Sequence, residues 1–123
     1  MKSLRNKSLG KLGENIAGNF LKSKGYQIIE QNFSRRYSEI DIVARENDTL
    51  VFVEVKTRTS SQFGTPLEAI TPWKLKAVIR SAEYYKLTHK NLPDLMRIDA
   101  VSVKLLPTGE IEDIELTKNI TGF

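Results

Sequence analysis

The sequence predicts an α/β fold, a mixed β-sheet flanked by helices, in the order helix, three strands, helix, two strands. Three observations carry this reading. Two segments place apolar residues at helical spacing, five short runs are rich in β-branched and aromatic residues, and Gly, Pro, Asn and Asp punctuate the intervals. The chain of 123 residues suits a single domain, large enough to bury a core without staples.

From Leu9 to Lys24, the residues Leu9, Leu12, Ile16, Ala17, Phe20 and Leu21 fall on one side of a helix, the pattern of a helix packed on a core. Gly25 follows as a C-terminal stop. Tyr26 to Phe33 reads as a strand and Ser34-Arg35-Arg36-Tyr37-Ser38 as a basic connection. Two period-two runs come next, Glu39 to Ala44 and Leu50 to Lys56, joined by the turn-prone Glu46-Asn47-Asp48-Thr49 into a β-hairpin. Residues 57–66 are rich in Ser, Thr and Gly and read as a flexible loop. Thr71-Pro72 offers an N-cap with Pro in the first turn. The helix that follows carries Leu75, Val78, Ile79, Ala82 and Tyr85 on one face and ends near His89. Arg97 to Leu105 and Ile111 to Leu116 are two strands across a Pro-Thr-Gly-Glu turn.

Composition narrows the function classes. Hydrophobic residues at 40% and charged residues at 28% are a globular balance, not a disordered one. No cysteine is present, which excludes disulfides, zinc fingers and thiol catalysis and suits a reducing, cytoplasmic setting. Lys and Gly interrupt the first apolar run, so neither a signal peptide nor a membrane span is expected. The net charge of +4 and pI near 9.4 lean toward a polyanionic partner. The single histidine, His89, reads as a helix C-terminal residue whose charge favours the dipole. Chemistry is therefore sought among carboxylates and lysines.

The charges of the hairpin are the informative feature. Alternation puts Val51, Val53 and Val55 on one face and Leu50, Phe52, Glu54, Lys56 and Arg58 on the other. Glu39, Asp41 and Val43 share a face of the preceding strand. Pairing Arg45 with Leu50 sets Asp41 opposite Glu54 and Glu39 opposite Lys56. Two carboxylates about 5 Å apart repel by roughly 3 kcal/mol at an effective dielectric near 20, so a shared proton, a cation or a divalent metal must offset them. Oxygen ligands without His or Cys point to Mg²⁺ or Mn²⁺, and Lys56 beside them suits phosphodiester hydrolysis. The alternative is a solvated face of an antiparallel sheet with a surface Glu39–Lys56 ion pair. Alternation alone favours that alternative.

The stretch Glu39-Ile40-Asp41 followed by Phe52-Val53-Glu54-Val55-Lys56-Thr57-Arg58 resembles the signature of the YraN-type bacterial family of predicted endonucleases. That family is similar to archaeal Holliday-junction resolvases within the PD-(D/E)XK, restriction-endonuclease-like superfamily. Gly13-Glu14-Asn15-Ile16-Ala17, Asn32, Lys74 and Arg97-Ile98-Asp99 match further positions, so the resemblance covers nearly the whole chain. Ser38 stands where the family pattern usually has Gly, which alters a turn without removing a ligand. The resemblance implies a restriction-endonuclease-like core, with Asp41, Glu54 and the Val55 carbonyl as metal ligands and Lys56 as the catalytic lysine. It also brings Glu14 to the site, which helical geometry permits because Glu14 borders the apolar stripe near Leu21 in angle. Asp99 is either a distal site residue or the partner of Arg97.

Arg35, Arg36 and Lys74, with Lys76 and Arg80 further along the second helix, either bracket a groove that would contact phosphates without reading sequence or are solvated loop and helix charges. Arg58 is either a further phosphate contact or an exposed strand end. The expected function is a Mg²⁺- or Mn²⁺-dependent endonuclease acting on DNA, with branched or structured DNA and a homodimer suggested by the similarity to resolvases. A non-catalytic nucleic-acid-binding module and a protein-interaction domain are the alternatives.

Overall fold

The computed structural model describes residues 6–35, 38–59 and 70–121, without the side chains of residues 6, 7 and 35. The elements are α1 (Asn6–Ser23), β1 (Gln27–Arg35), β2 (Ser38–Glu46), β3 (Thr49–Thr59), α2 (Pro72–Thr88), β4 (Leu95–Leu105) and β5 (Ile111–Thr117). Their order is the predicted one. The five strands form one sheet in the order β1-β2-β3-β4-β5. β3 and β4 run parallel and the other pairs antiparallel. A parallel pair needs a crossover, and α2 lies in the connection between them.

Local signals explain the boundaries. Gly25 adopts a left-handed φ of 94° after α1, where Tyr26 N–H donates to the Leu21 carbonyl (3.0 Å). Thr71 Oγ1 accepts from Lys74 N–H (3.1 Å), with Pro72 beginning the helix. Arg45 pairs with Leu50 as predicted, and the hairpin closes more tightly, with Glu46 and Thr49 also paired. Asn47, at φ 53°, makes that two-residue turn possible. β3 runs on through Thr59, so Thr57, Arg58 and Thr59 are strand rather than loop; residues 60–66 of the expected loop lie outside the described residues.

Both faces of the sheet are covered. On one side α1, through Ala17 and Leu21, packs on Ile42, Ala44, Val51, Val53, Val101 and Val103. On the other, Val78, Ala82 and Tyr85 of α2 pack on Ile40, Val43, Leu50, Phe52 and Ile98. The segment Leu50–Val53 is wholly buried on both faces. That overturns the solvated-face alternative, because a strand with a parallel neighbour and helices above and below has no wet side. The charges of β3 begin where this core ends.

One predicted pattern breaks. Ile40 belongs to the α2-side core while Ile42 and Ala44 belong to the α1-side core, although even spacing should keep them together. The break coincides with Asn32 of β1, at φ 57°, which falls between the pairs Gln31↔Ile42 and Phe33↔Ile40. Asn tolerates this left-handed conformation, and it turns both strands over at Asn32 and Asp41. Glu39, Asp41 and Val43 therefore do not share the regular face expected of them.

Candidate active site

The β2–β3 ladder stops at Ile42↔Val53, one pair short of Asp41 and Glu54. Asp41 takes over the ladder's role with its side chain: Val55 N–H donates to Asp41 Oδ2 (2.8 Å). A residue in an extended strand turns its N–H and C=O to the same neighbour. The Val55 carbonyl is thus directed to the same side of β3 as Asp41. Glu39 pairs with Ser34 of β1, and the β2–β3 ladder ends before the predicted pairing of Glu39 with Lys56.

Glu54, directly after the apolar stretch of β3, is only 2% exposed. Burial and the neighbouring Asp41 carboxylate both favour its protonated form. Oε2 stands 3.9 Å from the Lys74 ammonium, whereas Oε1 is buried with no hydrogen-bond partner among the described residues. Burial above all, then the Asp41 charge, pushes the Glu54 carboxyl up to about 8, with Lys74 and Lys56 acting against them. Burial likewise raises Asp41, opposed by the Val55 N–H and by Lys74. Mutual repulsion was the expected cause; loss of water is the larger one.

On its α1 side Asp41 meets two further acids. Oxygen atoms of Glu14, Glu39 and Asp41 lie within 4.8 Å of one another. Turned with its nitrogen toward them, the Asn32 amide donates to Glu14 Oε1 (2.7 Å) and Glu39 Oε1 (3.0 Å). Burial first, then Asp41 and Glu39, raises Glu14 above the ordinary carboxylate range. Gly13 brings Glu14 this close. A Cβ there would stand 1.7 Å from Thr57 Oγ1 of β3, so only glycine lets α1 press on that strand.

The structure thus gathers Glu14, Asp41, Glu54 and the Val55 carbonyl. Lys56 is half-buried two residues beyond Glu54, close enough to act on its charge. Lys74 also belongs here. It opens the inner stripe Lys74-Val78-Ser81-Tyr85 of α2, and its ammonium donates to Ser38 Oγ (3.2 Å) while facing Glu54. Ser38, noted above for replacing a glycine, supplies that acceptor, and Ser81 Oγ donates to its carbonyl (3.0 Å). Arg58 stands beside Lys104 of β4. The Arg35 side chain and all of Arg36 lie outside the described residues. Asp99 takes its second reading: it is fully buried and accepts from Arg97 Nε (2.8 Å), Tyr26 Oη (2.8 Å) and Asn119 N–H (2.9 Å).

Glu39 and Asn32 as site residues escaped the sequence reading. The signal for Asn32 was its isolation as an Asn inside a strand pattern, a residue type that tolerates φ above zero. Glu39 was legible only as a charge on a strand, and the kink reassigns its neighbours.

The profile of the uncharacterised protein family UPF0102 matches residues 13–103, a span that includes every residue of this site. The chain is 44% identical over 116 residues to a UPF0102 protein of Caldicellulosiruptor saccharolyticus, covering 94% of this chain and 98% of that one. It is 42% identical over 117 residues to one of Geobacter metallireducens (95% and 94%), and 39% identical over 116 residues to one of Dictyoglomus turgidum (94% and 98%). With a match over most of its length and similarity of this order, the chain belongs to the uncharacterised protein family UPF0102.

Proposed function

We propose that this protein is a divalent-metal-dependent endonuclease that hydrolyses phosphodiester bonds in DNA, branched or otherwise structured DNA above all, in the cytoplasm. The observation that carries the proposal is Glu54: a buried carboxylate beside that of Asp41, with one oxygen lacking a hydrogen-bond partner among the described residues. Burying such a pair costs stability, and a merely structural strand would use an apolar residue there. The donor set fits Mg²⁺ or Mn²⁺, since Asp41, Glu54 and the Val55 carbonyl offer hard oxygens only. When bound, the ion polarises the phosphoryl group and lowers the pKa of a water.

The chain's own residues do the rest. The Val55 N–H fixes Asp41, so its remaining lone pairs are aimed without loss of rotamer freedom at binding. Lys56 orients the attacking water or stabilises charge developing on the phosphate. Glu14, held by Asn32 and raised in proton affinity, is placed to accept a proton. Lys74 balances Glu54 in the absence of substrate and adds positive charge facing the phosphates. No described helix is long and apolar enough to cross a membrane.

The test is incubation with linear, flapped and four-way-junction DNA, in Mg²⁺ or Mn²⁺ against EDTA. Cleavage is expected only with metal. Lys56→Ala should slow it by about 100-fold or more while binding in EDTA stays nearly unchanged, because several cations remain. Cleavage by Lys56→Ala at the parent rate, or no cleavage of any substrate with either metal, overturns the proposal.

A further inference from the structure

The helix α2 carries two unlike stripes. Its inner stripe begins with Lys74 at the acidic site; its outer stripe is Trp73, Lys76, Ala77 and Arg80, at i, i+3, i+4 and i+7. These four residues line an open recess of about 190 Å³. Trp73 is 84% exposed, an unusual degree for the largest apolar side chain. Ala77 leaves the recess beside the indole shallow and flat. Lys76 and Arg80 supply two cations one and two turns further on, and among the described residues no acid lines the recess. A flat aromatic face with cations along the helix complements a stacked base and its phosphates, whereas an apolar protein partner would call for an apolar rim.

We propose that Trp73 is a stacking platform for an unpaired nucleobase of the substrate, with Lys76 and Arg80 on the flanking phosphates. The inference rests on the nuclease reading and deepens it. Trp73 adjoins Lys74 in sequence, so a strand laid on the platform passes the helix end that reaches Glu54. Bases inside a continuous duplex are already stacked on their neighbours and leave no free face for the indole. The substrate class is therefore DNA with a single-stranded stretch beside the scissile bond, such as a flap, a gap or an open junction. Aromatic platforms of this kind tolerate any base, in keeping with selection by structure.

Trp73 is the only tryptophan in the chain, so its emission reports this surface alone. In EDTA, oligothymidylate should quench it, and a blunt duplex of equal length should not. Trp73→Ala should weaken affinity for the single strand by about tenfold or more, with binding followed by anisotropy of labelled DNA. Trp73→Phe should restore most of that affinity, and unchanged melting of both variants shows that the fold is intact. Binding of the single strand without a change in emission, or equal affinity of Trp73→Ala, rejects the platform and leaves the nuclease reading standing. Emission that changes with protein concentration alone assigns the surface to a second copy and also rejects the platform. Quenching without cleavage in Mg²⁺ or Mn²⁺ rejects the nuclease reading and keeps the platform. Failure to bind any DNA rejects both.

Discussion

Glu54 has a higher affinity for its proton in the folded protein than in the unfolded chain, where it titrates near 4.5 rather than about 8. Between those values the metal-free native state carries a proton that the unfolded state has released. The slope of stability with pH follows the unfolded minus the native proton count, so it is negative here. Stability present below 4.5 is lost as pH rises toward about 8. Glu54→Gln preserves the shape and removes this titration. Metal-free melting of the parent should fall across the window by several degrees, with a shallower fall for Glu54→Gln and a higher melting point for the variant at the alkaline end. Asp41, raised in the same direction, keeps the slope from vanishing. Equal slopes in the two proteins would show that the acid pair is ionised at both ends. Asp41, Glu54 and Lys56 were legible from the charges placed in the β2–β3 hairpin together with the resemblance to the YraN-type signature, since alternation alone pointed to a solvated face. The place of Lys74 was not, since helical spacing alone does not tell which end of an inner stripe reaches past the core to a charge.

At the scale of elements, the order and most boundaries follow from periodicity, caps and turn residues, whereas the kink at Asn32 and Asp41 arises from pairing between strands that no single segment encodes. The contact of α1 with β3 is of the same kind. Gly13 reads in sequence as a weak spot in a helix, yet its missing Cβ sets the height of α1 over Thr57. Gly13→Ala gains helix propensity but inserts a methyl 1.7 Å from Thr57 Oγ1 and 2.8 Å from Thr57 Cβ. A β-branched side chain has little rotamer freedom with which to evade it, so α1 must lift. The expected cost is about 1–3 kcal/mol, visible as a lower denaturant midpoint, together with slower cleavage because Glu14 moves with the helix. Adding Thr57→Ala should recover only part of the stability, since its Cβ still collides. A Gly13→Ala protein as stable as the parent contradicts this account of the helix–strand contact.

For the whole molecule, α1, β2, β3 and α2 meet at Asp41, and their separate charges converge there as a demand for a cation. Among the described residues that demand is met in the folded chain by the Lys74 ammonium at 3.9 Å from Glu54, by Lys56 and by the proton that Glu54 retains. A divalent ion that binds the native arrangement and not the unfolded chain stabilises it by about 2.7 kcal/mol at a hundredfold excess over its dissociation constant, which for a domain of this size is a melting shift of roughly 10 °C. The ion and the proton compete for Glu54, so the shift should grow as pH rises toward about 8. Two-carboxylate Mg²⁺ sites gain further ligands from substrate phosphate, so DNA should enlarge the shift again. Asp41→Asn relieves the acid pair and should raise the melting point of the metal-free protein at alkaline pH, while removing the response to Mn²⁺. The measurement is thermal melting of the parent and Asp41→Asn, titrated with Mn²⁺ at both ends of the pH window, with and without oligonucleotide. A Mn²⁺ response that is identical in the two proteins, or that does not vary with pH, places the ion elsewhere than on Asp41 and Glu54.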